Sequence, residues 1–196
     1  MTVERTTHWR PTDSEEAPDP VPPGEAEDAW AVAAREILTV AAGTYHALID
    51  RTDLATQVQE LSGIRSSKSP HYWLSRVLAQ VASINALEGE PPLTALVVHR
   101  QTGAVGDDYD EVLRLSGAEP ITDEVAREKH AAEARMECYR WAGAAMPASG
   151  GHAALSPRLD QRIVRERKRA RESATPTVCP TCFMTIPPTG VCDNCD

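Results

Sequence analysis

Apolar residues first recur at helical spacing from Asp28 onward. Trp30, Ala33, Ala34, Ile37, Leu38, Ala41, Tyr45, Leu48 and Ile49 form one stripe and predict a helix over 28–50. Thr52 or Asp53 then caps a short second helix that turns Leu54, Val58 and Leu61 to one face and stops at Gly63. Ser69-Pro70 opens a third helix, with Trp73, Val77, Leu78, Val81, Ile84 and Leu87 inward and Gly89 as its stop. The period changes at Leu93–Val98, a β-prone run that leads into a turn from His99 to Gly106. Asp108 to Leu115 fits either a second strand or a helical turn. Thr122 caps a long helix, about 123–144, whose packing face is ill defined near Glu128 and Lys129. Ser156-Pro157 starts a last helix in which Leu159, Ile163 and Val164 are the only sizeable apolar groups.

The stretches between these elements set the boundaries. Residues 1–27 carry Pro11, Pro18, Pro20, Pro22 and Pro23 among acids and few large apolar groups, so they are expected to form a disordered acidic tail. Residues 28–145 form an α-rich domain, 146–155 a flexible linker containing Pro147, Gly150 and Gly151, 156–175 a basic helix, and 176–196 a cysteine-bearing terminus.

Four of the five cysteines lie in that terminus, as Cys179-Pro-Thr-Cys182 and Cys192-Asp-Asn-Cys195. Two Cys-x2-Cys pairs nine residues apart supply four thiolates, the number that closes a tetrahedral shell around one Zn²⁺. Pro187, Pro188 and Gly190 between them suit a chain reversal. A minimal zinc ribbon follows, with Cys179, Cys182, Cys192 and Cys195 as ligands and a structural metal, because no coordination position is left for a substrate. Two disulfides are the alternative, which nothing else in the sequence favours. Cys138 stands apart on a helix as a small buried apolar side chain.

Charge adds the second candidate. The net −9 is uneven: residues 146–175 hold seven bases and three acids, while every other segment is acidic. Arg162, Arg165, Arg167, Lys168, Arg169 and Arg171 make that helix the one concentrated positive surface, either a phosphate-binding element or a solvated spacer. Arginine outnumbers lysine seventeen to three, a bias of high-GC bacterial genomes that weakens any single Arg-rich signal. No apolar run is long enough for a membrane span and no signal peptide is evident, so the cytoplasm is expected and no membrane partner.

Three helices, a strand and a turn make the element order of a winged helix, whose third helix enters the DNA major groove. The fold expected is therefore mainly α with a small β-hairpin, winged-helix-like, plus a C-terminal zinc ribbon on a basic helix. The loop Gly63–Ser69 brings Arg65 and Lys68 to the start of the third helix, and His71, Ser75, Arg76, Gln80 and Ser83 lie on its outward face. These polar groups equally fit the wet side of an amphipathic helix.

Residues 44–109 carry Tyr45, Asp53-Leu54-Ala55, the helix Trp73-Leu74-Ser75-Arg76-Val77-Leu78, and Leu93–Val98 followed by Gly103-Ala104-Val105-Gly106-Asp107-Asp108-Tyr109. In this the stretch resembles the C-terminal winged-helix domain of the O6-alkylguanine DNA alkyltransferases and their alkyltransferase-like relatives. The resemblance implies a DNA-binding scaffold. It implies no alkyl transfer, since Pro92-Leu93-Thr94-Ala95 stands where that family places its nucleophilic cysteine.

No phosphate-cradling Gly-x-x-x-x-Gly-Lys and no His-Glu-x-x-His occurs. His99-Arg100 beside Asp107, Asp108 and Asp110 offers at most an acid–base or metal site in a turn, which makes a hydrolase the last of the readings. The sequence points to a non-enzymatic bacterial protein associated with nucleic acid, DNA first. A protein–protein adaptor using the ribbon and basic helix is the alternative.

Overall fold

In the computed structural model, helix α1 spans Pro23–Ala42, with proline at its first position, where no N–H is needed. The structure describes residues 7–12, 17–173, 178–184, 186, 192, 194 and 195. The chain divides into two units, Met1–Leu159 and Asp160–Asp196. No helix among the described residues is long and apolar enough to cross a membrane.

The first unit is mainly helical. Helix α1 ends at Ala42, eight residues before the stripe's predicted end at residue 50, because the chain turns through His46 in the left-handed region. Strand β3 (Ile49–Asp50) leads directly into α2 (Arg51–Ser62). The cap is Asp50, whose carboxylate accepts from the Thr52 N–H, in place of the Thr52 or Asp53 expected. Ser69-Pro70 opens a 3₁₀ turn, and α3 follows over Leu74–Glu88, stopping at left-handed Gly89. Trp73, Val77, Leu78 and Val81 are buried as expected, whereas Leu87 is 87% exposed. Trp30 and Trp73 stack with centroids 4.2 Å apart, joining α1 to α3 at the centre of the core.

Two expectations are corrected. The first is the wing: Leu93–Leu96 forms a 3₁₀ turn, and β5 (Val97–Val98) pairs in parallel with β3, Ile49 opposite Val97. Asp110–Ser116 is helix α4, so no hairpin follows the third helix among the described residues. The second is the tail. Within 1–27, β1 (His8–Arg10) pairs antiparallel with β2 (Asp19–Pro20) and with β4 (Arg65–Ser66). His8 is buried against the Trp30 ring edge, and Val21 joins the core. The buried His8 ring, the apolar Val21 and a strand ladder thus offset the ordering entropy that the proline-rich composition forecast would prevail. Residues 1–6 and 13–16 of the tail lie outside the described residues.

Helix α5 (Glu124–Trp141) is capped by Asp123, which accepts from the Ala126 N–H. Its ill-defined packing face has a cause: Glu128 and Arg135, two turns apart, both point inward. Arg135 Nη1 donates to Glu128 at 2.7 Å, with side chains 2% and 0% exposed. Arg135 Nε donates to the Ala95 carbonyl, and Glu128 also accepts from the Val105 N–H. The expected flexible linker 146–155 is docked as well. Tyr45 Oη donates to the His152 carbonyl and accepts from the His152 N–H. Ser156 Oγ donates to the Gly103 carbonyl and caps the Leu159 N–H, so the boundary between units falls inside α6 (Pro157–Ser173) rather than in the linker. Gly103 has φ +73°, and a Cβ there would meet Ser156 Oγ at 2.5 Å and Leu159 N at 2.9 Å, so the docking requires glycine.

Candidate functional site

In the second unit, the four terminal cysteines converge. Their sulfur atoms lie within 4.8 Å of one another, Cys179 to Cys195 at 3.8 Å and Cys182 to Cys192 at 3.5 Å, and all are free thiols. A disulfide needs about 2.05 Å, so these are not cystines. A tetrahedron with bonds of about 2.3 Å has edges of about 3.8 Å, near the separations within these two pairs, so the four could hold a metal ion.

The turn from Cys179 to Met184 favours thiolates. The N–H groups of Cys182 and Thr181 aim at the Cys179 sulfur and hold its pKa down at about 6. The Met184 N–H likewise lowers Cys182. Cys195 goes the other way, up to about 12, chiefly through its hydrogen bond with the Cys182 sulfur. The backbone N–H groups of this turn thus favour the thiolate form at Cys179 and Cys182, the form in which a cysteine can hold a metal ion. The turn closes with Cys179 N–H donating to the Met184 carbonyl and Phe183 N–H to that of Cys179. Phe183 sits at φ 57°, a left-handed position that favours glycine, and is 79% exposed. Pro187, Pro188 and Gly190 lie outside the described residues.

The basic helix carries its cations on the surface. Arg165, Arg167, Lys168, Arg169 and Arg171 are exposed, and Arg162 is half-buried. Of the five exposed cations, only Lys168 has an ion pair among the described residues, to Glu172 at 3.8 Å. At about 100° per residue, Arg162, Arg165 and Arg169 fall within roughly 60° of arc and form one stripe.

The loop before α3 is occupied differently. Ser66 Oγ meets His8 Nδ1 at 3.0 Å and the Lys68 N–H at 3.1 Å, and Ser67 N–H donates to the Thr7 carbonyl. Thr7 and His8 therefore engage the Ser67 N–H and the Ser66 hydroxyl of this loop. Arg65 pairs opposite Trp9 in the ladder. Lys68 and Arg76 lie near enough to His8 to add to burial, the larger cause, in lowering its pKa, with Glu27 opposing. Arg76 is held by Glu27 at 2.6 Å, Gln80 donates to Asp28, and Ser75 accepts from Arg51. So Arg65, Lys68 and Arg76 share a neighbourhood, but the outward face of α3 is engaged within the chain.

The acidic turn contributes to a cleft of about 540 Å³ lined by Arg51, His71, Ser75, His99, Asp107 and Asp108, among others. Arg51 pairs with Asp108, Arg100 with Asp53 at 2.6 Å, and Arg127 with Asp107 at 2.6 Å. Among the described residues the four cysteines are the one group placed to hold a metal. Cys138 is buried, donates to the Pro92 carbonyl at 3.5 Å, and is pushed up to about 12 by burial, so it is no nucleophile at neutral pH.

Sequence reasoning missed the Glu128–Arg135 pair, whose only trace was the blurred packing face. It also missed Phe183 as an exposed apolar group on the knuckle. Comparison with protein-family models, with curated proteins and with solved structures finds no match to this chain.

Proposed function

We propose that this is a non-enzymatic nucleic-acid-associated protein, DNA-binding in the first place, whose terminus is folded around one structural Zn²⁺. The observation that carries the reading is the exposed cation set on α6, with Arg165 and Arg169 on one stripe with half-buried Arg162, in the same unit as the four cysteines. Such a stripe neutralises phosphates and releases counterions without reading bases. Four sulfur ligands leave no open position, so the metal holds the terminus together and does no chemistry. Retention of four thiols fits a reducing compartment, the cytoplasm. In the first unit Arg65 and Lys68 offer two further cations, while Arg76, tied to Glu27, adds little.

A gel-shift titration of the full zinc-loaded chain against duplex and single-stranded DNA at low salt tests the proposal. Binding is expected, with loss in the Arg165→Glu/Arg169→Glu variant. No shift with any nucleic acid overturns it. The adaptor reading has one observation of its own: Val178, Phe183 and Met184 are exposed apolar groups on the knuckle, a composition suited to a protein partner.

A further inference from the structure

Building on the nucleic-acid reading above, we infer that the Phe183 ring is a stacking platform for one unpaired base, so that the nucleic acid this chain engages is single-stranded. Among the described residues, two other than glycine have positive φ, His46 and Phe183. The His46 ring packs on Tyr45, with centroids 3.8 Å apart, whereas the Phe183 ring is exposed. A bulky side chain at φ 57° is disfavoured, and glycine or asparagine makes such a turn without that cost. Burial does not offset the cost at Phe183, so the compensating contact lies outside the chain. The platform is also held still. Phe183 N–H donates to the Cys179 carbonyl at 2.9 Å and Cys179 N–H to the Met184 carbonyl at 2.8 Å, and a metal on Cys179 and Cys182 would clamp the same turn.

Charge selects what the ring meets. Residues 176–196 contain two acids and no base, so the cysteine-bearing terminus cannot hold a phosphate by itself. The same unit carries Arg165, Arg167, Lys168, Arg169 and Arg171 exposed on α6. The chain from Arg171 to Phe183 spans at most about 42 Å. A strand of about twenty nucleotides covers about 68 Å even at 3.4 Å per phosphate, so one strand reaches both. Phosphates on α6 and a base on Phe183 are the combination that binds single strands without reading sequence. In a duplex each interior base is already stacked on both faces and offers the ring nothing. An apolar protein surface would suit the ring but not the cations in its unit.

The test titrates the full zinc-loaded chain against an oligo(dT) of about twenty residues and a duplex of the same length, at one salt concentration. Phe183→Ala should weaken oligo(dT) binding about 5- to 150-fold, the worth of one stacked base, and duplex binding less than about twofold. Phe183→Trp should restore single-strand affinity. Its added indole fluorescence should be quenched by oligo(dT), over the signal of the four tryptophans of the first unit. Both variants should keep their zinc. A wild-type chain that binds neither strand overturns the nucleic-acid reading and this inference with it. Where the wild-type chain binds but Phe183→Ala weakens neither strand, or both alike, the ring serves a protein contact or the fold, and the inference alone is overturned. An unquenched indole, or loss of zinc from Phe183→Ala, overturns it as well.

Discussion

Replacing Glu128 by alanine probes the least expected feature of the fold. The substitution leaves Arg135, 2% exposed, without its counter-charge, and removes the acceptor of the Val105 N–H. Breaking a buried ion pair from one side costs about 3–5 kcal/mol, because the desolvated partner remains. Domains of this size have about 5–15 kcal/mol in total, so a large share would go. At roughly 2–4 °C per kcal/mol, the melting temperature should fall by about 6–20 °C. All four tryptophans lie in the first unit, so fluorescence-detected urea unfolding reports that unit alone. The double variant Glu128→Met/Arg135→Met should cost no more than Glu128→Ala, since both charges leave together. A loss below about 1 kcal/mol for Glu128→Ala, or costs that simply add in the double variant, would refute the buried-pair account.

Three further outcomes are expected. Gly103→Ala adds a Cβ that meets the start of α6 and adopts a disfavoured φ, so stability should drop by about 1–3 kcal/mol in the same assay, and an unchanged midpoint would contradict the docking. His8, His46 and His99 all have pKa values below the ordinary 6.5, chiefly through burial. The unfolded chain therefore binds those protons more tightly, and the melting temperature should decline as pH falls through 6.5 toward 5, before the carboxylates titrate. A flat profile there would show those rings to be solvated. Phe183→Gly relieves the left-handed residue in the first knuckle, so zinc should be held about fivefold more tightly in a chelator competition, equivalent to about 1 kcal/mol, whereas weaker retention would mean that the ring itself supports the site.

What was legible in the sequence was what a short signal determines by local chemistry. Ser69-Pro70 and Ser156-Pro157 start helical turns, and Gly63, Gly89 and Gly103 sit where φ is positive. The four thiols were legible because spacing alone makes a tetrahedral shell reachable. The rest depended on partners distant in the chain. Val97 reads as a wing strand until Ile49 takes it in parallel. His8 and Trp9 read as tail until Arg65 and Ser66 supply a strand edge. Glu128 leaves the packing face of its helix undefined in sequence, because the arginine that permits its burial lies two turns away on the same helix.

The salt dependence of DNA binding by the full zinc-loaded chain, followed by fluorescence anisotropy, tests the central claim most directly. With the α6 stripe engaging about three to four phosphates, the slope of log K against log salt should be about −2.7 to −3.6, a loss of roughly 40- to 150-fold between about 50 and 200 mM. Each of Arg165→Ala and Arg169→Ala should make the slope shallower by about 0.9. Affinity independent of salt, or a slope that neither variant changes, would contradict the claim that α6 is the nucleic-acid contact.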